Sequence, residues 1–313
     1  MPSFSALAIV LVLAPAPSTW KPAEAPPPAV WARAGARGWA GCEELGRQAA
    51  ALRGGTARGE PGGGDGSVWT ERAQRCPSVP DVLVLAALLE LVASGDIGTA
   101  PEGAGSIDAI AKDHRERVER ALGWIDHALA ESARRREPPP RETRFLRAYA
   151  LVTLGRTGDA RRALDHAIAS ADVERWRSDR MGAVIALLDG DLELAMALSF
   201  RAIVEAPPDD RSITRYIRAM VLDRAGASAT ARSELLELRN EAGSIIARRA
   251  TESLLPVHER LYLRAIDHQV ADDFGTAAKL WSAYLERPEP AAPERVLAER
   301  HRAELVRKPP PVR

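Results

Sequence analysis

The chain has 313 residues, enough for one elongated repeat domain or two globular ones. Lys plus Arg and Asp plus Glu each total 43, so no net field draws the molecule to a polyanion, and nucleic acid is disfavoured as a partner. The sequence is 46% apolar yet holds only four Phe and four Tyr, an Ala- and Leu-rich composition that suits closely packed helices better than sheets, and the expected class is all-α.

In chain order, Ala6 to Ala14 is an unbroken apolar run, too short for a membrane span of about 20 residues but of the length found in a secretory signal. Residues 1–18 are read as a bacterial signal peptide cut after Ser18, which places the mature chain in the periplasm or outside the cell with no transmembrane anchor. The alternative is a cytoplasmic protein with an apolar start, since Met1 to Ser5 carries no Lys or Arg and Pro17 and Pro26 follow two of the small-residue sites. Residues 19–29 are proline-rich and read as a linker, because proline removes a donor and clashes with the preceding helical turn.

Residues 30–138 read as an irregular helical region. A helix is expected from Val30 to Leu52, a glycine-rich loop from Gly54 to Gly66 and a short helix from Ser67 to Arg75. Next comes an apolar helix capped by Asp81, with Pro80 fixing its entry, and then a loop from Ser94 to Gly105. A long helix from Ser106 to Arg136 ends before Pro138. Cys42 and Cys76 flank the glycine-rich loop, and a disulfide between them is expected if the chain is exported, the alternative being two reduced thiols.

Residues 141–307 repeat. Gly155, Gly190 and Gly226 recur at intervals of about 35 residues, and each is followed five positions later by an alanine, Ala160, Ala195 and Ala231. Leu164, Ser199 and Leu235 come four positions further, then Ala167, Ala202 and Leu238, a spacing that puts each set on one helix face. A fourth unit fits Leu261, Ala265, Phe274, Ala277 or Ala278, and Trp281, before Pro288. A second echo joins Phe145-Leu146-Arg147-Ala148, Tyr216-Ile217-Arg218-Ala219 and Tyr262-Leu263-Arg264-Ala265. These offsets resemble the tetratricopeptide repeat family. The resemblance covers about Arg141 to Pro288 and departs from the family at Arg147, Arg218 and Arg264, where an apolar residue is usual, and in an insertion after unit three. It implies an α-solenoid of stacked antiparallel hairpins in a right-handed superhelix. It also implies a concave groove for a protein or peptide ligand, lined by Phe145, Tyr149, Arg180, Val184, Tyr216, Met220, Tyr262 and Ile266, unless those rings are interhelix packing.

No catalytic constellation is legible. The six His residues include no pair at a spacing of three or four, and the Gly62–Gly66 stretch lacks both a preceding strand and a phosphate-binding Lys. Asp189-Gly190-Asp191 coincides with a repeat turn, where Asp191 reads as a helix cap. The expectation is a non-catalytic scaffold without cofactor, metal or small-molecule substrate. Two alternatives stand beside it: a disulfide-bonded amino-terminal module in the envelope that the repeats merely dock, and an enzyme with an unrecognised site.

Overall fold

The computed structural model describes residues 41–56, 66–95 and 104–307. The expected signal peptide, the linker and most of the glycine-rich loop lie outside the described residues. Every regular element among those described is a helix, and successive helices pack on one another as in an α-solenoid.

The amino-terminal part holds α1 (Cys42–Thr56), α2 (Gly66–Arg75), α3 (Pro80–Gly95) and the long α4 (Ala104–Arg135). Helix α3 is its hub, because Val82 to Ala87 are all buried and α1, α2 and α4 each pack against it. Asp81 falls inside the first turn of α3 rather than before it, and its carboxylate pairs with Arg53 of α1. A disulfide joins Cys42 at the start of α1 to Cys76 just after α2, as the sequence led one to expect.

After Pro138–Pro140 come three hairpins: α5 (Thr143–Thr153) with α6 (Thr157–Ala169), α7 (Arg175–Leu188) with α8 (Leu192–Glu205), and α9 (Pro208–Arg224) with α10 (Ser228–Asn240). The repeat offsets are borne out. Gly155, Gly190 and Gly226 have φ of 73°, 77° and 83°, a left-handed conformation that glycine adopts without strain. After each, an amide reaches back five residues, Arg156 to Leu151, Asp191 to Ala186 and Ala227 to Leu222, closing the same helix-ending motif three times. Ala160, Ala195 and Ala231 are buried at the interhelix contact, and Leu164, Ser199, Leu235, Ala167, Ala202 and Leu238 lie buried behind them. Asp191 caps α8 by accepting the Leu194 amide at 3.1 Å.

The insertion after unit three is itself a helix, α11 (Ser244–Ser253), and the fourth hairpin follows as α12 (Val257–Val270) and α13 (Phe274–Glu286). Its turn uses Asp272 at φ 57° instead of glycine. Helix α14 (Ala292–Arg307) packs on α13 and closes the described chain.

The shared arginines are interhelix clamps. Arg147 holds Asp126 of α4 at 2.6 Å, Arg218 holds Glu234 of α10 at 2.6 Å, and Arg264 holds Glu252 of α11 at 2.7 Å. Unit two has Gly182 at this position, where a Cβ would come within 3.1 Å of Leu198, and a pair between Asp179 and Arg201 of α8 supplies the clamp instead. One apolar core runs from Ala49 to Leu305 without a break at the prolines.

Candidate binding cleft

The groove expected on the first helices is occupied. Phe145, Val184, Tyr216, Met220, Tyr262 and Ile266 each expose 4% or less and belong to the core, so the packing reading of these rings replaces the groove reading. The Phe145 ring lies under the Arg177 guanidinium at 4.8 Å, and the Tyr262 ring meets Trp281 edge-on at 5.1 Å. Arg180 finds its carboxylate inside the molecule, Asp210 at 3.6 Å, and burial draws its guanidinium down to about 10.

The cover is α11. It packs against α9 and also against α3, bridging the third hairpin to the amino-terminal part. The Tyr149 hydroxyl donates to the Ser253 carbonyl at 2.9 Å, the Tyr216 hydroxyl to Ser244 at 3.4 Å, and the Thr251 hydroxyl to Ile213 at 3.0 Å. The segment that broke the repeat in sequence is the one that covers its first helices. The only hint in the chain is Ala247 and Thr251 four apart, an inward face too short to read with assurance.

A second closure lies beside it. Arg260 of α12 is buried, donating to the Leu255 carbonyl at 2.8 Å and to Ser94, at the end of α3, at 3.2 Å. His114 Nδ1 lies 3.0 Å from the same Ser94 carbonyl. A carbonyl only accepts, so Nδ1 carries the proton and Nε2 takes the Arg260 donor at 3.3 Å. Burial, and after it the Arg260 charge, pushes the imidazole down to about 4, which keeps it neutral.

These closures leave a cleft of about 510 Å³. Its walls are the early part of α4, the turn between α5 and α6, the end of α7, the first turn of α12 and the segment after α13. In a regular array the starts of first helices sit with other starts. Here the start of α12 sits with the ends of α5 and α7, and Glu259 in its first turn pairs with Arg224 at the end of α9, so the fourth hairpin enters from the opposite end.

The remaining concentration of polar groups is sealed. Asp223 accepts from Tyr262 and lies 3.0 Å from His301, whose ring stacks on Trp281 at 4.9 Å. Burial opposes the Asp223 charge, but the bonds from His301 and Tyr262 hold its carboxyl below the usual range. Burial is the largest single influence on Glu259 and raises it, but Arg224 and His258 together outweigh burial, and the carboxyl sits at about 2. Both carboxylates are almost wholly buried, which suits a structural network. Among the described residues no group of His, Cys, Asp or Glu is arranged to hold a metal ion, and no helix is long and apolar enough to cross a membrane. No family model, curated protein or solved structure matches this chain.

Proposed function

We propose that the chain is a non-catalytic, tetratricopeptide-like scaffold of an oxidising, exported compartment that binds a protein partner on the outer face of its second helices. The observation that carries this reading is on α8. Phe200 and Val204 stand one turn apart and expose 58% and 60%, with Ala197 exposed a turn earlier. Ile168 of α6 and Leu236 of α10, on the neighbouring second helices, are exposed as well. An exposed Phe beside Val on a rigid helix suits an apolar partner surface and serves no purpose in the stack itself. The disulfide supports export, since such bonds persist where thiols are not kept reduced.

The test is affinity capture from an envelope fraction with the native chain and with the double variant Phe200→Asp, Val204→Asp. The reading expects a discrete protein that the native chain retains and the variant loses. Equal recovery by both would end it.

A further inference from the structure

The lining of the cleft holds three cationic side chains, Lys112, Arg115 and Arg287, against one carboxylate, Glu289. Lys112 and Arg115 project from α4 at its wall, and neither forms an ion pair or hydrogen bond with a described residue. At the interhelix contacts the arginines are matched to carboxylates, as Arg147, Arg201, Arg218 and Arg264 show. The one acidic side chain in the lining, Glu289, is engaged by Arg287 through contacts of 3.3 and 2.9 Å. Two helices also open onto the cleft with their positive ends. The first turns of α6 and α12 line it, neither helix has a side-chain cap, and the carboxylate in each first turn, Asp159 and Glu259, is already held by an arginine, Arg156 and Arg224. Lys112 and Arg115, with no partner among the described residues, offer an anion in the cleft two ion pairs beside these helix starts.

The volume is within the range of small-molecule sites, and its walls are set by five segments that only the closed fold brings together. His114, held by Ser94 and Arg260, gives one wall a fixed position. We infer that this cleft binds a small organic anion through its carboxylate or phosphate groups, with Lys112 and Arg115 as the ion-pairing residues. This ligand site is separate from the apolar surface on α8 and does not depend on it.

Calorimetric titration of the full oxidised chain with citrate and, separately, with inorganic pyrophosphate tests the inference. Saturable binding of at least one anion is expected, citrate marking a carboxylate ligand and pyrophosphate a phosphate ligand. The double variant Lys112→Gln, Arg115→Gln, altered only at exposed positions, should keep its melting temperature and weaken that binding by about tenfold or more. Arg249→Gln, at an exposed arginine outside the cleft, should bind as the native chain does. Three results would overturn the site: no saturable heat with either anion, undiminished binding by the double variant, or an equal loss in Arg249→Gln, which would mean diffuse surface charge.

Discussion

Tyr149 donates its hydroxyl hydrogen bond to the backbone carbonyl of Ser253, 104 positions further along the chain, at 2.9 Å. The contact ties the first hairpin to α11, the helix that covers the first helices, so the two form one packed body. Replacing Tyr149 by Phe leaves the ring in place and removes only the donor. A loss of about 1 kcal/mol in urea unfolding is expected, the net worth of one such bond. An unchanged midpoint would mean that Ser253 is not held by this hydroxyl.

His114 makes stability depend on pH in a defined window. Its folded value of about 4 lies below the ordinary 6.5, so the unfolded chain takes up the proton first as pH falls. Stability is therefore unaffected by this group above 6.5 and declines between 6.5 and 4, by on the order of 2 to 3 kcal/mol. Glu259 has its folded value at about 2 against an ordinary 4.5, so its contribution is lost only below 4.5, which separates the two effects. Unfolding free energies at pH 7 and pH 4.8 should differ by much less in His114→Asn than in the native chain. Equal differences would show that the imidazole is not held neutral.

The alanine contacts predict overpacking. Ala195 is fully buried where α8 meets its neighbours, and Leu there must displace them, at a cost of about 1 to 3 kcal/mol. The same change at exposed Ala197 should alter stability by less than about 0.5 kcal/mol. Comparing the two denaturation midpoints checks the prediction.

The disulfide closes a separation of 34 residues, and in the chain-entropy model its loss costs about 4 kcal/mol. Reduction should lower the melting temperature of the native chain and leave a Cys42→Ser, Cys76→Ser variant unaffected. A native melting curve insensitive to reductant would count against the bridge in solution.

The sequence made the local rules of the stack legible. A turn glycine needs φ above zero, and an alanine five residues on admits a neighbouring helix, so Gly155, Gly190, Gly226 and their alanines carried the repeat directly. The disulfide was legible from two cysteines either side of a loop. What stayed hidden depends on contacts between distant segments. Nothing near Arg260 announces that its guanidinium reaches Ser94, 166 positions away, or that the start of α12 lies beside the ends of earlier first helices. The aromatic trio was found correctly but placed on the wrong side, because a ring at a helical repeat position packs equally well against a neighbouring helix or a ligand. Only α11, read as an insertion, decides between them. The arginines at 147, 218 and 264, where the resemblance led one to expect apolar residues, each have a carboxylate on an adjacent helix.

That the first-helix face is covered by the chain itself can be read from its tyrosines. All four lie in the closed interior or at its seam: Tyr149, Tyr216, Tyr262 and Tyr284. Burial raises every one of these phenols, Tyr216 to about 12. The decisive measurement is a spectrophotometric titration of phenolate near 295 nm, restricted to the pH range in which circular dichroism remains native. A filled groove gives clearly less phenolate at about pH 10 than the unfolded chain does, followed by a steep rise on unfolding. Reversible ionisation of two or three tyrosines near about pH 10, with the helices intact, would mean an open groove and would contradict the closed stack.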